Sequence, residues 1–393
     1  MKEKRKIVLA YSGGLDTSVI LKWLQENYNA EIIAYTADIG QELNKKKIID
    51  NAKKLGVKNI IIDDIKNIFV KNYIYPMIRG HALYEGVYLL GTSIARPLIA
   101  KMQIKIAKKF KAFAVAHGST GKGNDQIRFE LGYHYFAPKI KIIAPWRIWK
   151  LKSRSDLIKY AKKNKIKIPK DKRGASPFSV DDNLFHTSTE GKILENPKKA
   201  APEYIFQRTI SPEKAPNKPS YITIGFKNGD PISINNKKLA PAKLLHKLNI
   251  AAGKNGIGRI DLVENRFIGI KSRGVYETPG GTLLMIAHRA IESVTLDKKT
   301  MHKKDEIMPN YAELIYNGFW HSKARYKLQK IIDKNKNKVN GKIKLKLYKG
   351  NITIISRQTK SDAYSLKKVS FEENTAFNKK KVENFIKKNF KKL

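Results

Sequence analysis

Cysteine is absent from all 393 residues of this chain. Its absence excludes a disulfide framework, a thiolate metal site and a cysteine nucleophile. No apolar run is long enough to span a bilayer. The N-terminal MKEKRKIVLAYSGG has the basic start of a signal peptide, but its apolar stretch is short and runs directly into Gly-Gly-Leu-Asp, so a cleaved leader is not expected and the cytoplasm is the expected compartment. Internal repeats, zinc-finger spacing and an RNA-binding aromatic signature are also missing. Acidic residues are scarce: 34 Asp and Glu face 79 Lys and Arg, a formal charge of +45. Such a balance fits a nucleic-acid-binding protein. However, the lysines fall in small clusters along the whole chain, at 45–47, 53–54, 108–109 and 162–163. That distribution reads better as a compositional bias on solvated helix faces than as one recognition stripe. Non-specific affinity for polyanions at low salt follows either way.

What is present is a globular composition, 41% hydrophobic and 29% charged, in a chain long enough for two to three domains. Its sharpest feature is IVLAYSGGLDTS at 7–18. A short apolar strand stops at Ser12-Gly13-Gly14, and after Leu15 the residues Asp16, Thr17 and Ser18 open a helix. Strand, glycine turn and helix N-terminus together make an anion site, because the backbone approaches closely and the helix dipole favours negative charge. Ser12, Thr17 and Ser18 add hydroxyls. The spacing is not that of a Walker A loop, since no lysine follows the glycines. SGG-x-D-[ST]-S instead resembles the pyrophosphate loop of enzymes that cut ATP between its α- and β-phosphates, and there Asp16 makes sense as a Mg²⁺ ligand.

The first half alternates apolar strands, at 7–11, 31–36, 59–62, 112–116 and 141–144, with helices at 17–27, 44–55, 94–110 and 153–164. Strands without polar alternation suit a parallel sheet covered on both faces. Pro97 is expected in the first turn of its helix, and Ser153 with Asp156 forms a loose capping box. The segment 165–179 reads as a linker or active-site loop, and 195–219, with five prolines, as irregular chain. Hairpins are expected around Asn228-Gly229, between 257–263 and 266–271, and around Lys349-Gly350, and helices over 239–253, 282–296 and 311–335. The lysine-rich tail has helical spacing at Val382, Phe385, Ile386 and Phe390.

Three more segments carry polar groups in excess of structural need. AHGSTGKGNDQIRFE (116–130) follows a strand and places Gly118 and Thr120 before Asn124, Asp125 and Arg128. Arg128 can hold a carboxylate bidentately and Asp125 an ammonium, which suits a zwitterion. YLLGTSIARP (88–97) puts Ser93 either at a helix N-cap or on a ligand carboxylate. VENRFIGIKSRGVYETPGGT (263–282) crowds Glu264, Arg266, Arg273, Tyr276 and Glu277 around a short apolar strand.

These segments, with AYTADIGQ, IAPWR, SPFSVDDNL and AELIYNGFW, resemble argininosuccinate synthase in order and over nearly the whole chain. The resemblance implies an α/β fold: a parallel-sheet, adenine nucleotide alpha-hydrolase-like domain at 1–168, an α+β synthetase domain at 169–360 and a helical oligomerisation tail at 361–393. It implies that ATP and Mg²⁺ join citrulline to aspartate through citrullyl-AMP, releasing AMP and pyrophosphate, in a cytoplasmic homotetramer with no specific nucleic acid or membrane partner. Carried over by motif, ATP would meet Ala10, Tyr11, Ser12, Gly13, Gly14, Leu15, Asp16, Thr17, Ser18, Ala37 and Gly118. Citrulline would meet Tyr88, Ser93, Asn124, Arg128, Ser179, Ser188, Glu264 and Tyr276. Aspartate would meet Thr120, Asn124 and Asp125. Asp16, Asp125 and Arg128 are the expected catalytic set. After AYTADIGQ the family usually has an acidic stretch, where this chain has the basic QELNKKK. The competing expectation is a tRNA-modifying enzyme that adenylates a base through the same loop, which the net charge favours and the amino-acid motifs oppose.

Overall fold

The computed structural model describes residues 4–120, 123–151, 153–166, 178–361, 363–365, 369 and 379–390. The first half builds the sheet that the apolar strands require. In chain order it runs β1 (Lys6–Ala10), α1 (Leu15–Tyr28), β2 (Glu31–Asp38), α2 (Lys45–Lys54) and β3 (Asn59–Asp64). There follow α3 (Lys66–Phe69), a π-turn (Val70–Ile74), α4 (Tyr75–Arg79), α5 (Gly91–Lys109), β4 (Ala114–Ala116), α6 (Asn124–Phe136), β5 (Lys141–Ile143), α7 (Pro145–Ile148) and α8 (Arg154–Lys163). The five strands pair in parallel in the order β3-β2-β1-β4-β5. Ile7 and Leu9 of β1 pack into one core and Val8 into another on the opposite face, which is why these strands lack polar alternation. The strand order reverses direction between β1 and β4, so their C-terminal loops flank one crevice.

The second half is antiparallel. It contains β6 (Ser179–Asp182), β7 (Thr187–Glu190), β8 (Ser220–Lys227), β9 (Asp230–Ile234), β10 (Lys237–Lys238), α9 (Pro241–Lys254), β11 (Arg259–Asn265) and β12 (Lys271–Glu277). After them come α10 (Pro279–Thr295), α11 (Lys298–Tyr316), α12 (Lys323–Asp333), β13 (Gly341–Tyr348), β14 (Asn351–Gln358) and a final helix α13 (Lys379–Phe390). One sheet has the order β10-β9-β8-β13-β14 and the other β11-β12-β7-β6. Ile222, Ile224, Ile343, Leu345 and Leu347 of the first sheet join Leu283, Leu284 and Ile291 of α10 in a core that also contains Tyr88, Leu89 and Leu90 of the first half.

Several local expectations are corrected. Helix α5 starts at Gly91, after Leu90 at φ 60°, so Ser93 is no N-cap and Pro97 lies inside the helix. The hairpin expected between 257–263 and 266–271 is instead β11 with β12, and 266–270 is its turn. The helix expected over 311–335 is two helices, broken where Gly318 adopts φ +92°. The capping box of Ser153 and Asp156 forms as expected. Most of the expected 165–179 loop, and Gly121 and Lys122, lie outside the described residues.

Candidate functional site

Loop geometry follows from a few small residues. Gly13 takes φ +78°, and a Cβ there would lie 2.7 Å from Ile48 Cγ1. Asn51 Nδ2 donates to Gly13 O at 3.2 Å, and Gly14 N–H to Ser12 Oγ at 3.4 Å. Ser12 Oγ and Thr17 Oγ1 are hydrogen-bonded at 3.0 Å. Gly14 is the N-cap of α1 and supplies no side-chain cap, so the helix end is left for an anion. Because β1 and β4 are neighbours, Gly118 packs against Thr17 and Ile20 of α1. The two glycine-rich loops therefore form one rim of a cleft of about 1020 Å³.

The opposite wall comes from the small sheet. Its register sets Ser188 beside Tyr276 and Ser179 beside Glu190, and Glu264 arrives on β11. Tyr88 lies with its ring 4.4 Å from that of Tyr276. Between rim and wall runs a chain of charges. Arg96 Nε donates to Asp125 Oδ2 at 2.7 Å and Arg96 Nη2 to Asp181 Oδ1 at 2.6 Å. Arg128 Nη1 donates to Asp125 Oδ1 at 3.0 Å, while its Nε and Nη2 donate to Tyr316 O at 3.0 and 2.8 Å. Three of the five guanidinium N–H groups of Arg128 are thus used among the described residues, which leaves two for a ligand.

Burial alone would push the Asp125 carboxyl up, but Arg96 and Arg128 outweigh it and hold it below the usual range. Glu264 goes the other way: burial dominates and raises it, although Arg128 opposes this. Glu264 Oε2 and Asn124 Oδ1 are buried with no hydrogen-bond partner among the described residues. An amide oxygen and an ionised carboxylate oxygen accept hydrogen bonds, so a ligand's N–H groups would satisfy both.

Two family models cover the chain: "Arginosuccinate synthase N-terminal HUP domain" over residues 6–167 and "Arginosuccinate synthase C-terminal domain" over 178–391. Among curated proteins, the argininosuccinate synthase of Pelagibacter ubique is 79% identical over 386 residues, 98% of each chain. The chain belongs to the argininosuccinate synthase family. The enzyme of that name from Parvibaculum lavamentivorans is 58% identical over 99% of this chain and 95% of its own, and that from Zymomonas mobilis 58% over 99% and 96%. A solved U34-tRNA thiolase, NcsA from Methanococcus maripaludis with its 4Fe–4S cluster, matches 45% of this chain and 62% of its own at 19% identity and a TM-score of 0.29, too slight to inform fold or function.

Most positions that the argininosuccinate synthase resemblance implies meet in the cleft. Ala10, Tyr11, Ser12, Asp16, Thr17, Ala37, Tyr88, Gly118, Thr120, Asn124, Asp125, Arg128, Ser179, Ser188, Glu264 and Tyr276 all line it. Others shape it from behind. Leu15 points into the core, and Ser18 bonds the Tyr11 hydroxyl at 3.1 Å. Gly13 and Gly14 set the loop's path, while Ser93 is wholly buried with its Oγ unpartnered among the described residues. Residues that sequence reasoning missed also line the cleft, notably Arg96, Asp181, Glu190 and Arg208, together with Arg266 of the polar-rich segment. Arg96 left a signal as the one charge in the apolar opening of α5. Arg208 left none, because it lies in the proline-rich stretch. That stretch is pinned by Glu277, whose carboxylate accepts the N–H groups of Gln207, Arg208 and Thr209 at 2.7–2.9 Å. The surplus of polar groups at 263–277 is thereby explained: Arg266 donates to Glu190 at 2.5 Å and Arg273 pairs with Asp261.

Proposed function

We propose that this cleft joins citrulline to aspartate at the expense of ATP, yielding argininosuccinate, AMP and pyrophosphate for arginine biosynthesis. The observation that carries the reading is the pair of unpartnered buried acceptors, Asn124 Oδ1 and Glu264 Oε2, in the same cleft as a phosphate-binding helix end. Both amino acids bring N–H groups to such atoms, and ATP brings the anion. A urea carbon is a poor electrophile without a leaving group. Attack of the citrulline ureido oxygen on the α-phosphorus expels pyrophosphate and installs AMP as that leaving group. The aspartate amine then attacks the ureido carbon, and AMP departs.

In this reading the protein positions three substrates and needs no covalent nucleophile. The N-terminus of α1 with Ser12 and Thr17 holds the phosphates. Tyr88, Ser179, Ser188, Glu264 and Tyr276 hold citrulline, and Arg128 offers its two remaining N–H groups to a carboxylate. Thr120, Asn124 and Asp125 hold aspartate. Asp125 acts here chiefly by orienting Arg96 and Arg128, since both of its oxygens already accept from them. Asp16 is an exposed carboxylate lining the cleft beside the loop hydroxyls. One carboxylate beside substrate phosphates is the donor set Mg²⁺ takes, so these residues fit that ion. When bound, Mg²⁺ neutralises charge on the phosphates.

We further place the enzyme in the cytoplasm as a homotetramer. Among the described residues no helix is long and apolar enough to cross a membrane, and α13 exposes Val382, Phe385, Ile386 and Phe390 as a face for another subunit. The test of function is pyrophosphate release with ATP, Mg²⁺, citrulline and aspartate, omitting each in turn. Release should require citrulline, and argininosuccinate should form only with aspartate present. Release triggered by tRNA and not by citrulline would establish the competing tRNA-modifying activity.

A further inference from the structure

Outside the cleft lining, where the first half plugs into the second, two imidazoles and a carboxylate converge. His81 follows α4 and takes φ 49°. His288 and Glu292 are four residues apart on α10, and so share one helix face. His81 Nε2 lies 2.7 Å from Glu292 Oε2 and 3.1 Å from His288 Nδ1. His288 Nδ1 lies 3.7 Å from Glu292 Oε1. His288 and Glu292 are each only 1% exposed. The second carboxylate oxygen, Oε1, is held by the Lys304 ammonium from α11.

Hydrogen bonds alone do not satisfy this group. His81 Nε2 carries either one hydrogen or one lone pair, yet it has two close neighbours. Suppose it donates to Glu292 Oε2. His288 Nδ1 must then face it with a lone pair, which puts the His288 hydrogen on Nε2. That atom is buried and has no partner among the described residues. Suppose instead that His288 Nδ1 donates to His81. The His81 lone pair then accepts that hydrogen, and nothing lies between Nε2 and the carboxylate oxygen at 2.7 Å. Neither arrangement pairs every group.

A cation that accepts all three lone pairs removes the conflict. Four-coordinate zinc has bonds of about 2.0–2.1 Å, which sets its ligand atoms about 3.3–3.4 Å apart. The three ligand atoms lie within 4.8 Å of one another, and His81 Nε2, at 2.7 Å from Glu292 Oε2 and 3.1 Å from His288 Nδ1, is near that value from both. Two imidazole nitrogens and one carboxylate favour zinc-class ions over Mg²⁺ or Ca²⁺. Lys304 plays the outer part such sites use, fixing the carboxylate by its other oxygen. We propose that His81, His288 and Glu292 form a structural site for a divalent transition metal of the zinc class, which fastens the first half of the chain to α10.

The test uses the full chain, stripped with EDTA, desalted, loaded with Zn²⁺ or Co²⁺ and desalted again. Metal content is read by mass spectrometry and Co²⁺ coordination by its visible absorption. About one Zn²⁺ per chain should remain in the wild type and in Asp16→Asn, which removes the expected ion site of the phosphate loop. His81→Ala and His288→Ala should each weaken retention at least tenfold. X-ray absorption of the Zn²⁺-loaded wild type, which depends on no variant folding, should show scattering from two imidazoles. Negligible retention by the wild type, retention undiminished from the wild type's in both histidine variants, or absorption without imidazole scattering would each overturn the proposal and leave a purely hydrogen-bonded contact.

Discussion

Replacing Arg96 with methionine isolates the charge chain that crosses the cleft. Methionine keeps the apolar stem of the arginine and removes the guanidinium that joins Asp125 to Asp181. Asp125 would retain Arg128 at 3.0 Å, so it is weakened but not stranded. One charge-assisted hydrogen bond to a part-buried carboxylate contributes roughly 1.5–3 kcal/mol. Asp181 is 42% exposed, so water replaces its partner and adds little. The expected loss is therefore about 2 kcal/mol, well short of that for a fully buried pair. The pH dependence follows from Asp125. Its carboxyl is depressed in the folded protein because Arg96 and Arg128 outweigh burial. The stability this supplies is complete above the ordinary aspartate value and lost as pH falls through the depressed one. Wild type and Arg96→Met should thus differ most at neutral pH and converge on acidification. Urea unfolding at pH 7 and at successively lower pH measures this. The same variant should lower kcat/KM for aspartate at least about tenfold, or 1.4 kcal/mol, because Asp125 loses half of its orientation. A stability change below about 0.5 kcal/mol, together with an unchanged KM for aspartate, would refute the reasoning.

Three further outcomes are expected. Asp16→Asn should abolish pyrophosphate release with an unchanged circular dichroism spectrum, and turnover like the wild type's would remove the Mg²⁺ role. In Gly91→Ala the new Cβ would lie 2.3 Å from His186 Cγ, and that ring is held by Thr92 Oγ1 at 2.8 Å. A loss of about 1–3 kcal/mol with reduced activity should follow, and a change within 0.5 kcal/mol in urea midpoints would show that the ring yields. Burial lowers His186 to about 3 and His321 to about 4, so stability should decline as pH falls from the unfolded histidine value of about 6.5 towards 4. His321→Phe should flatten part of that slope in urea titrations, and an identical slope would exclude His321 as a source.

The amino-acid sequence alone made the parallel sheet, its covering helices and the phosphate loop legible, because each is a local pattern. Apolar strands without alternation, glycines at a strand end and polar residues opening a helix carry their meaning within about a dozen residues. Local reading failed where distant contacts outweigh propensity. Ser93 looks like a cap, but Leu90 begins α5 three residues earlier, and Pro97 is carried inside a helix that the core on both sides stabilises. β6 and β7 have little strand pattern of their own, since both are short and polar and are held in the sheet by pairing, β7 between β12 and β6 and β6 at the edge.

The cleft itself is a product of tertiary structure. Strand order put the loops of β1 and β4 side by side, although about a hundred residues separate them in the chain. Antiparallel register then set Ser188 against Tyr276. Arg96 and Glu190 became visible only there, and Arg266 found its partner only there, because a charge in a helix or a turn shows its purpose only when its partner is in place. The sequence determined which groups the site contains. The fold decided which of them face one another, since hydrogen bonds and ion pairs act over a few ångströms of space and not along the chain.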